Sequence, residues 1–199
     1  YDSDYVGYNL HNYFIARALD ALKPGGFAIV LTSASTMDSK SLNARINFAS
    51  RTALLATFRL PNTAFAEIGT EVVADILVFQ KGAENKEKFL DIEPIDTADN
   101  TGVMRVNEYF VNHPEMILGI PSNTGKMYGK TGSATILPFE ELPFDKLLPL
   151  PECAVQNVKQ PESDLFGNSQ ETANEIELPY PMREYTIFRH EDRLWQCRN

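Results

Sequence analysis

The sequence predicts an α/β fold in which a helix, a strand, a second helix and two further strands form one half of a doubly wound sheet, followed by a smaller irregular α+β segment. Three observations indicate this fold: a helical pattern that leads into an unbroken apolar run, a second helix followed by two strand patterns, and an ordinary globular composition. Of the 199 residues, 43% are apolar and 23% are charged, which excludes wholesale disorder and fibrous folds.

The first helix is predicted over residues 9–22 and the first strand over residues 27–31. The helix carries apolar side chains at helical spacing, on what we interpret as one stripe: Leu10, Phe14, Ile15, Ala18, Leu19 and Leu22. Lys23-Pro24-Gly25-Gly26 ends the helix, because proline cannot continue it and glycine supplies a positive φ. The apolar run that follows is typical of a strand buried on both faces.

The second helix and the next two strands come directly after. Residues 33–38 are small and polar, and they are predicted to form a loop at the carboxyl end of the first strand, where open α/β sheets bind ligands. A helix is predicted from about Ser41 to Ala53, followed by strands over Leu54–Leu60 and Val72–Gln80. The loop from Asn62 to Glu71 is long for a hairpin, and loops of that kind are often functional.

The sequence divides into four regions: residues 1–82, 83–150, 151–180 and 181–199. The second region is irregular, with strands predicted at Lys88–Ile92 and Thr135–Leu137 and a short helix at Val106–Val111. The third is rich in Pro, Glu, Asn, Gln and Ser and is predicted to be an acidic linker. The fourth alternates around His190-Glu191-Asp192, which indicates a terminal hairpin.

The formal charge, 18 − 27 = −9, is unevenly distributed. The first region is neutral, the second and third carry −5 each, and the fourth carries +1. Affinity for a duplex comes largely from Lys and Arg, so the overall balance argues against a strong nucleic-acid surface without barring DNA from the first region.

The chain begins at Tyr1 rather than at Met, and we expect it to be part of a longer polypeptide. No stretch approaches the ~18 apolar residues of a membrane span, and two cysteines without a CxxC motif indicate neither disulfides nor zinc, so we expect a cytoplasmic protein with no metal site.

Four blocks of sequence occur in an order that resembles one group of proteins. The blocks are LHNYFIARALDALKPGG, TSASTMD, RLPNTAFAEIGTEVVADILVFQKG and NEYFVNHPEMILG. They resemble the large phage- and plasmid-borne fusions of an N6-adenine DNA methyltransferase with a helicase of the SNF2 type. The resemblance covers roughly residues 1–120, and the chain after about Glu152 is similar to the variable connection toward the helicase.

This resemblance implies a partial Rossmann-like sheet of the S-adenosylmethionine-dependent methyltransferase type, of which the chain holds the fifth, sixth and seventh strands. The last of the three should be antiparallel and lie between the other two. The family's glycine-rich cofactor loop and its Asn-Pro-Pro-aromatic catalytic tetrapeptide are absent from the sequence. No catalytic residue is therefore assigned, and the chain alone is expected to be inactive, because methyl transfer to a flipped adenine needs acceptors for charge that builds on nitrogen. The implied cofactor is S-adenosylmethionine, and the implied partners are DNA and the remaining methyltransferase and helicase domains of the same polypeptide.

The resemblance also assigns binding residues, each with a structural alternative. Phe65 matches an aromatic residue that packs against the flipped adenine, or else it anchors its loop in the core. Leu10 and Phe14 match apolar positions that line the adenine pocket of the cofactor, or else they are core residues of their helix. Position alone adds Ser33 and Asp38 as substrate-facing groups, although Asp38 could instead cap the second helix.

Charged residues of the first region receive mainly structural interpretations. Arg45, Arg51 and Arg59 could contact phosphates, but solvated surface is the simpler interpretation. Asp75 interrupts an otherwise apolar strand and is expected to be paired if it is buried. Gly69 is expected to supply a backbone turn.

Two other functions remain open on the sequence alone. The chain could be a non-catalytic scaffold that joins a methyltransferase to a helicase through residues 83–199, an idea favoured by the acidic middle of the chain. It could also belong to a methyltransferase that acts on a small molecule or a protein. In the methyltransferase interpretation the first strand lies at an open edge of the sheet, and such an edge invites self-association.

Overall fold

The computed structural model describes Tyr5, residues 7–127 and 130–139, Gln156, Val158, and the backbone of two strands near the carboxyl terminus. The chain divides into two compact units, Tyr1–Pro161 and Glu162–Asn199. Within this described part, none of the helices has the length and apolar character needed to cross a membrane.

Three strands form the central sheet of the first unit: β1 (Phe27–Ser33), β2 (Thr52–Arg59) and β3 (Ala74–Lys81). Their order is β1-β3-β2, and β3 is antiparallel to both neighbours. β1 and β2 therefore run parallel to each other, with the last strand inserted between them, which is the arrangement predicted from the sequence. The predicted α/β class is confirmed in its general form, since the unit contains both small sheets and a few helices.

Three helices accompany the sheet: α1 (Leu10–Ala21), α2 (Ser35–Asp38) and α3 (Asn43–Arg51). Phe48 of α3 packs edge-on against Phe79 of β3, with 5.9 Å between ring centroids. The one-turn helix α2 corrects the prediction of a loop over residues 33–38. It forms because the Ala34 carbonyl accepts hydrogen bonds from the N–H groups of Met37 and Asp38, at 3.1 and 3.0 Å, while the Met37 side chain is buried.

The predicted apolar stripe of α1 divides into two flanks. Ile15 and Leu19 are buried, whereas Leu10 and Phe14 are 73% and 62% exposed. The prediction of a single core-facing stripe was wrong, because its six positions span roughly 180° of a helix with 3.6 residues per turn. One neighbouring layer covers only part of that arc.

Residues 83–139 add two hairpins and a short helix to the first unit. The elements are β4 (Ile92–Asp96), β5 (Val103–Asn107), α4 (Glu108–Asn112), β6 (Ile120–Met127) and β7 (Lys130–Leu137). β4 pairs with β5, and β6 pairs with β7, both in antiparallel register. The strand predicted at Thr135–Leu137 is confirmed within β7.

The other two predictions for this segment need correction. The strand predicted at Lys88–Ile92 begins only at Ile92, the first residue of β4. Residues 88–91 are not a strand, and Glu108 Oε1 accepts hydrogen bonds from the N–H groups of Leu90 and Asp91. A side chain thus takes the place of a strand neighbour. The helix predicted from Val106 begins at Glu108, because the Asn107 side chain accepts from the N–H of Tyr109 and caps the first turn.

The second unit contains the predicted terminal hairpin. β8 (Ile187–His190) and β9 (Arg193–Gln196) pair in antiparallel register, with His190 opposite Arg193. The predicted linker over residues 151–180 lies outside the described residues except at Gln156 and Val158.

Candidate functional site at the carboxyl edge of the sheet

Segments that carry several predicted site residues are joined at one edge of the sheet. Because β1 and β2 are parallel, their carboxyl ends lie on the same side, where ligands bind in open α/β sheets. The start of α1 reaches that edge too: the Thr36 hydroxyl donates to Asn12 Oδ1 at 3.1 Å, and Ser35 Oγ lies 3.5 Å from His11 Nε2. Three separate segments of sequence are thereby brought to the same edge.

Leu10 and Phe14 lie in the first turns of α1. They flank His11 and Asn12, whose contacts hold this helix at the carboxyl edge. Both side chains are mostly exposed, which rules out the alternative that they belong to the core. The Phe14 ring contacts Tyr13 edge-on at 5.6 Å. They are therefore apolar groups available to a ligand or a partner.

The hydroxyl groups after β1 fall into two classes. Ser33 is exposed, and its Oγ accepts a hydrogen bond from the Ser35 N–H at 3.3 Å. Thr32 and Thr36 are buried, and their hydroxyls are 3.0 Å apart. Of these groups, Ser33 faces solvent in the predicted substrate-facing position, while the threonines hold the edge together.

Asp38 uses both carboxylate oxygens in contacts within the protein. Oδ2 lies 2.7 Å from Arg59 Nη1, and Oδ1 accepts from the Asn107 N–H at 2.8 Å. The alternative was that Asp38 caps the second predicted helix, which is α3 in the structure. This was wrong, because the N-cap of α3 is Leu42, whose side chain makes no capping hydrogen bond. Asp38 instead joins the end of β2 to the start of α4, and this leaves it little capacity to bind a substrate.

Arg59 and Asp75 form a buried, bidentate ion pair beneath the edge. Arg59 Nε and Nη2 lie 2.8 and 2.9 Å from the two oxygens of Asp75, and both side chains are fully buried. The guanidinium also lies over the Phe110 ring, 4.2 Å from its centroid. Burial alone would lower the pKa of Arg59, but the attraction of Asp75 and Asp38 outweighs it and raises the pKa. The prediction that a buried Asp75 would be paired is confirmed.

Arg45 is also buried and donates only to backbone carbonyls. Its three nitrogens bond to Leu90 at 2.8 Å, Thr36 at 3.2 Å and Ser39 at 2.8 Å. Arg51 contacts Asp20 and the hydroxyl of Tyr5. The interpretation of the arginines as solvated surface was wrong for Arg45 and Arg59, because burial of an arginine is tolerated where its donors are satisfied.

This use of arginine limits what the edge offers to DNA. Of the three arginines that could contact phosphates, Arg45 and Arg59 are buried. Arg51 is paired with Asp20. Among the described residues of the first region, the basic groups at the surface include Lys23 and Lys40. The edge is thus suited to neutral, aromatic or apolar groups rather than to a phosphate backbone.

Phe65 begins the exposed part of the long loop between β2 and β3. Its side chain is half-buried against the hydrophobic core. Its carbonyl accepts from the N–H groups of Ile68 and Thr70, at 3.1 and 3.2 Å. Gly69 has φ 77°, the left-handed conformation expected of it. The half-buried ring is consistent with the alternative that Phe65 anchors its loop in the core, and its contact with a flipped adenine stays a prediction.

Asn107 is a residue that the sequence analysis missed. Its side chain donates to the carbonyls of Met37 and Phe89 at 3.0 and 2.9 Å, and it is completely buried. It therefore ties the turn after β1 to the segment around Phe89. Asn before Glu at the start of a helical pattern is a capping signal that could have identified it.

The described residues at this edge differ in how far they are engaged within the fold. The carboxylates of Asp38 and Asp75 are held by arginine, while Ser33, Phe65 and the apolar start of α1 remain partly or fully open. Exposed and half-buried aromatic side chains can stack on a flat, uncharged group.

Comparison with known proteins gives one partial match. No family model matches the chain, and no solved structure matches it. Among curated proteins, the chain is 33% identical over 82 residues to "Defense against restriction protein B" of Escherichia phage P1. The match covers 40% of this chain and 4% of the phage protein, so the chain spans only a small part of that relative's length.

Proposed function

We propose that the first unit is the C-terminal half of an N6-adenine DNA methyltransferase domain, whose cofactor loop and catalytic tetrapeptide lie elsewhere in a longer parent protein. In that parent, a methyl group passes from S-adenosylmethionine to the exocyclic amino group of a flipped adenine. This chain contributes one wall of the cofactor pocket, through Leu10 and Phe14, and one side of the base pocket, through Ser33 and Phe65. It contributes no reacting group.

The observation that carries the proposal is the position of β3. An α/β sheet built only from βαβ units keeps all its strands parallel. Here β3 returns antiparallel and lies between the two parallel strands β1 and β2. That ending is what the resemblance to adenine methyltransferases implies for their last three strands.

The chemistry of the edge also supports the proposal. A flipped base and the adenosine part of the cofactor are flat and largely uncharged, and they are bound by stacking and by enclosure in apolar walls. The exposed Leu10 and Phe14, the half-buried Phe65 and the neutral Ser33 are groups of this type.

The direct test uses the purified full-length parent, radiolabelled S-adenosylmethionine and adenine-containing DNA. We expect label in N6-methyladenine after digestion of the DNA to nucleosides. The 199-residue chain alone should transfer none. Label in cytosine, in protein or in a small molecule would contradict the proposal, as would a parent that is folded and transfers nothing.

A paired substitution tests the base pocket. Phe65→Ala in the parent should lower kcat/KM for DNA by about 5- to 150-fold, the equivalent of ~1–3 kcal/mol of stacking. Ile68→Ala is the matched control, because Ile68 lies in the same loop and is 78% exposed. We expect it to stay within about twofold of the wild type. Equal losses in both variants would assign Phe65 to loop structure only.

A scaffold that joins a methyltransferase to a helicase is the second candidate. It is favoured by the charge of residues 83–150, which carry eleven acidic and six basic residues. Acidic surfaces repel DNA and favour protein contacts. Binding of S-adenosylmethionine and of single-stranded DNA to the purified chain separates the two candidates, since tight binding of either ligand contradicts a purely structural role.

A further inference from the structure

Part of the predicted linker is attached to the sheet by a small set of groups, here called the anchor site and defined by Gly25, Gln80, Gly82 and the backbone of Glu84. The site lies at the amino edge of the sheet, where β1 begins and β3 ends. We propose that the anchor site is a peptide-binding site for an extended segment with the pattern Gln-x-Val, and that residues 156–158 of this chain are its ligand. The inference does not depend on the proposed function.

Two glutamine carboxamides carry the polar recognition, each bonded to a backbone. Gln80 Nε2 donates to the Gln156 carbonyl at 2.8 Å, and Gln80 Oε1 accepts from the Gln156 N–H at 3.0 Å. In return, Gln156 Nε2 donates to the Glu84 carbonyl at 2.7 Å, and Gln156 Oε1 accepts from the Glu84 N–H at 2.9 Å. A carboxamide offers a donor and an acceptor as a peptide group does. The two pairs therefore recognise the backbone of the segment as well as its side chain.

The burial of Gln80 indicates that the site is built for an occupant. Gln80 lies in the otherwise apolar second half of β3 and is 2% exposed. Burial of a carboxamide is costly unless its hydrogen bonds are made. Besides Gln156, Gln80 Nε2 contacts the Gly25 carbonyl at 3.5 Å, which is longer than the usual range of a hydrogen bond. Gln80 thus depends on Gln156 for its well-formed hydrogen bonds.

Two glycines form the seat of Val158. Both have a left-handed backbone, with φ 78° at Gly25 and 72° at Gly82. A Cβ added at Gly25 or Gly82 would lie 3.6 or 3.4 Å from the Val158 side chain, so the valine packs directly over the glycine backbone. Gln156 and Val158 both reach the amino edge with their side chains, and side chains two residues apart share a face in an extended chain. This spacing is the basis of the pattern Gln-x-Val.

The anchor site lies at the opposite edge of the sheet from the candidate functional site. β1 has seven residues, so roughly 20 Å separates its two ends. The segment at 156–158 is therefore held away from Ser33 and Asp38. The anchor has a role in positioning the polypeptide, and it leaves the carboxyl edge open to a ligand.

Hydrogen exchange of single amides tests the site in the intact 199-residue chain. In Gln156→Ala, we expect the Glu84 amide to exchange at least about tenfold faster than in the wild type, because its acceptor has been removed. The Leu54 amide, which donates to Asn85 Oδ1 at 3.2 Å, should not change and reports that this part of the fold is kept. Equal exchange of the Glu84 amide in variant and wild type would overturn the proposal.

Substitutions at Glu84 and Val158 provide matched controls. Glu84→Ala removes an exposed carboxylate but keeps the N–H and the carbonyl that bind Gln156, so the Gln156 amide should keep its slow exchange. Val158→Asp should speed exchange of the Gln156 amide at least about tenfold, since a carboxylate replaces the apolar contact with the two glycines. Thermal unfolding checks that each variant folds. Lost protection in Glu84→Ala, or full protection in Val158→Asp, would overturn the proposed pattern.

A peptide added in trans tests whether the site binds a ligand. The probe is Ala-Val-Gln-Asn-Val-Lys-Gln, the sequence of residues 154–160, added to the Gln156→Ala/Val158→Asp double variant. It is used at millimolar concentration, which matches the effective concentration of a segment on a short tether. We expect the peptide to restore slow exchange of the Glu84 amide, and the same peptide with its first glutamine replaced by alanine to have no effect. Restoration by both peptides, or by neither, would overturn the proposal.

The source of the occupant follows from the dependence on protein concentration. When residues 156–158 bind within their own chain, slow exchange of the Glu84 amide does not change on dilution. Protection that is lost as a dimer dissociates would assign the occupant to a second copy of the chain and overturn the proposal.

Discussion

The two edges of the central sheet differ in how they are covered. Seven of the eight residues of β2 are buried, against one of the seven residues of β1. The outer side of β2 is bonded within the chain: the Leu54 N–H donates to Asn85 Oδ1 at 3.2 Å, and the Arg59 carbonyl accepts from the Leu118 N–H at 2.9 Å. The outer side of β1 has no such cover within the described residues.

This difference separates residues that hold the unit together from residues that lie open within the described part of the chain. The segment after β3 folds back over β2, and its contacts with Asp38 and Arg59 fasten it at the carboxyl edge. Substitutions on the β2 side should therefore cost stability in the isolated chain. Substitutions on the β1 side should cost little stability and act instead on association.

The largest expected effect is at Arg59. Arg59→Met leaves the fully buried Asp75 without its partner, and removal of one member of a buried pair costs about 3–5 kcal/mol. We expect that loss in the free energy of unfolding measured with urea. The double variant Arg59→Met/Asp75→Leu should recover part of it, because the remaining buried charge is then removed. A single variant as stable as the wild type would contradict the burial of the pair.

A matched pair of truncations compares the two edges directly. Leu54→Ala in β2 removes a side chain that is 1% exposed and should cost ~2–5 kcal/mol. Ile29→Ala in β1 removes one that is 75% exposed and should stay within ~0.5 kcal/mol of the wild type. Urea unfolding of both variants gives the comparison. Similar losses would mean that the β1 edge is covered in the isolated chain.

Asn107 offers a smaller effect with a close control. Asn107→Ala leaves the carbonyls of Met37 and Phe89 without their donor, and an unsatisfied buried polar group costs about 1–3 kcal/mol. Asn112→Ala changes an exposed asparagine at the end of the same helix and should be near neutral. Thermal unfolding midpoints distinguish the two. A large loss in the control alone would contradict the role of Asn107.

The helices and strands of the central sheet could be predicted because each carries a local pattern. The apolar run after Lys23-Pro24-Gly25-Gly26 marked β1, and the same local reasoning located α3 and both remaining strands to within a few residues. The terminal hairpin followed from alternation. The elements of residues 83–139 were harder to predict from the sequence. There Glu108 accepts hydrogen bonds from the N–H groups of Leu90 and Asp91 in place of a neighbouring strand, and no local sequence pattern indicates such a long-range side-chain contact.

For the candidate site, the sequence indicated where the residues lie relative to the strands better than it indicated what each side chain does. The sequence placed Ser33, Asp38 and Phe65 after the ends of strands, and the structure joins Asp38 to the end of β2 through Arg59. It could not show that Asp38 is engaged by Arg59 and Asn107, because the residues of that network are separated by up to 69 positions. Nor could it divide the apolar residues of α1 into a core flank and an open flank, which depends on what lies beside the helix.

The smallest expected effect concerns the ion pair that fastens α1 to α3, beside the open edge. Burial raises the pKa of Asp20, but the hydrogen bond from Tyr5 and the attraction of Arg51 outweigh it and lower the pKa. A lowered folded-state pKa means that the stabilisation is present above the unfolded value near 3.9 and is lost as the pH falls below it. Since Asp20 and Arg51 are each about 30% exposed, the contribution should stay below ~1 kcal/mol. Wild type and Asp20→Asn, unfolded with urea at neutral and acidic pH, should differ at pH 7 and converge toward pH 3. A difference that is constant with pH would mean that the charge of Asp20 contributes nothing to the attachment of α1 to α3.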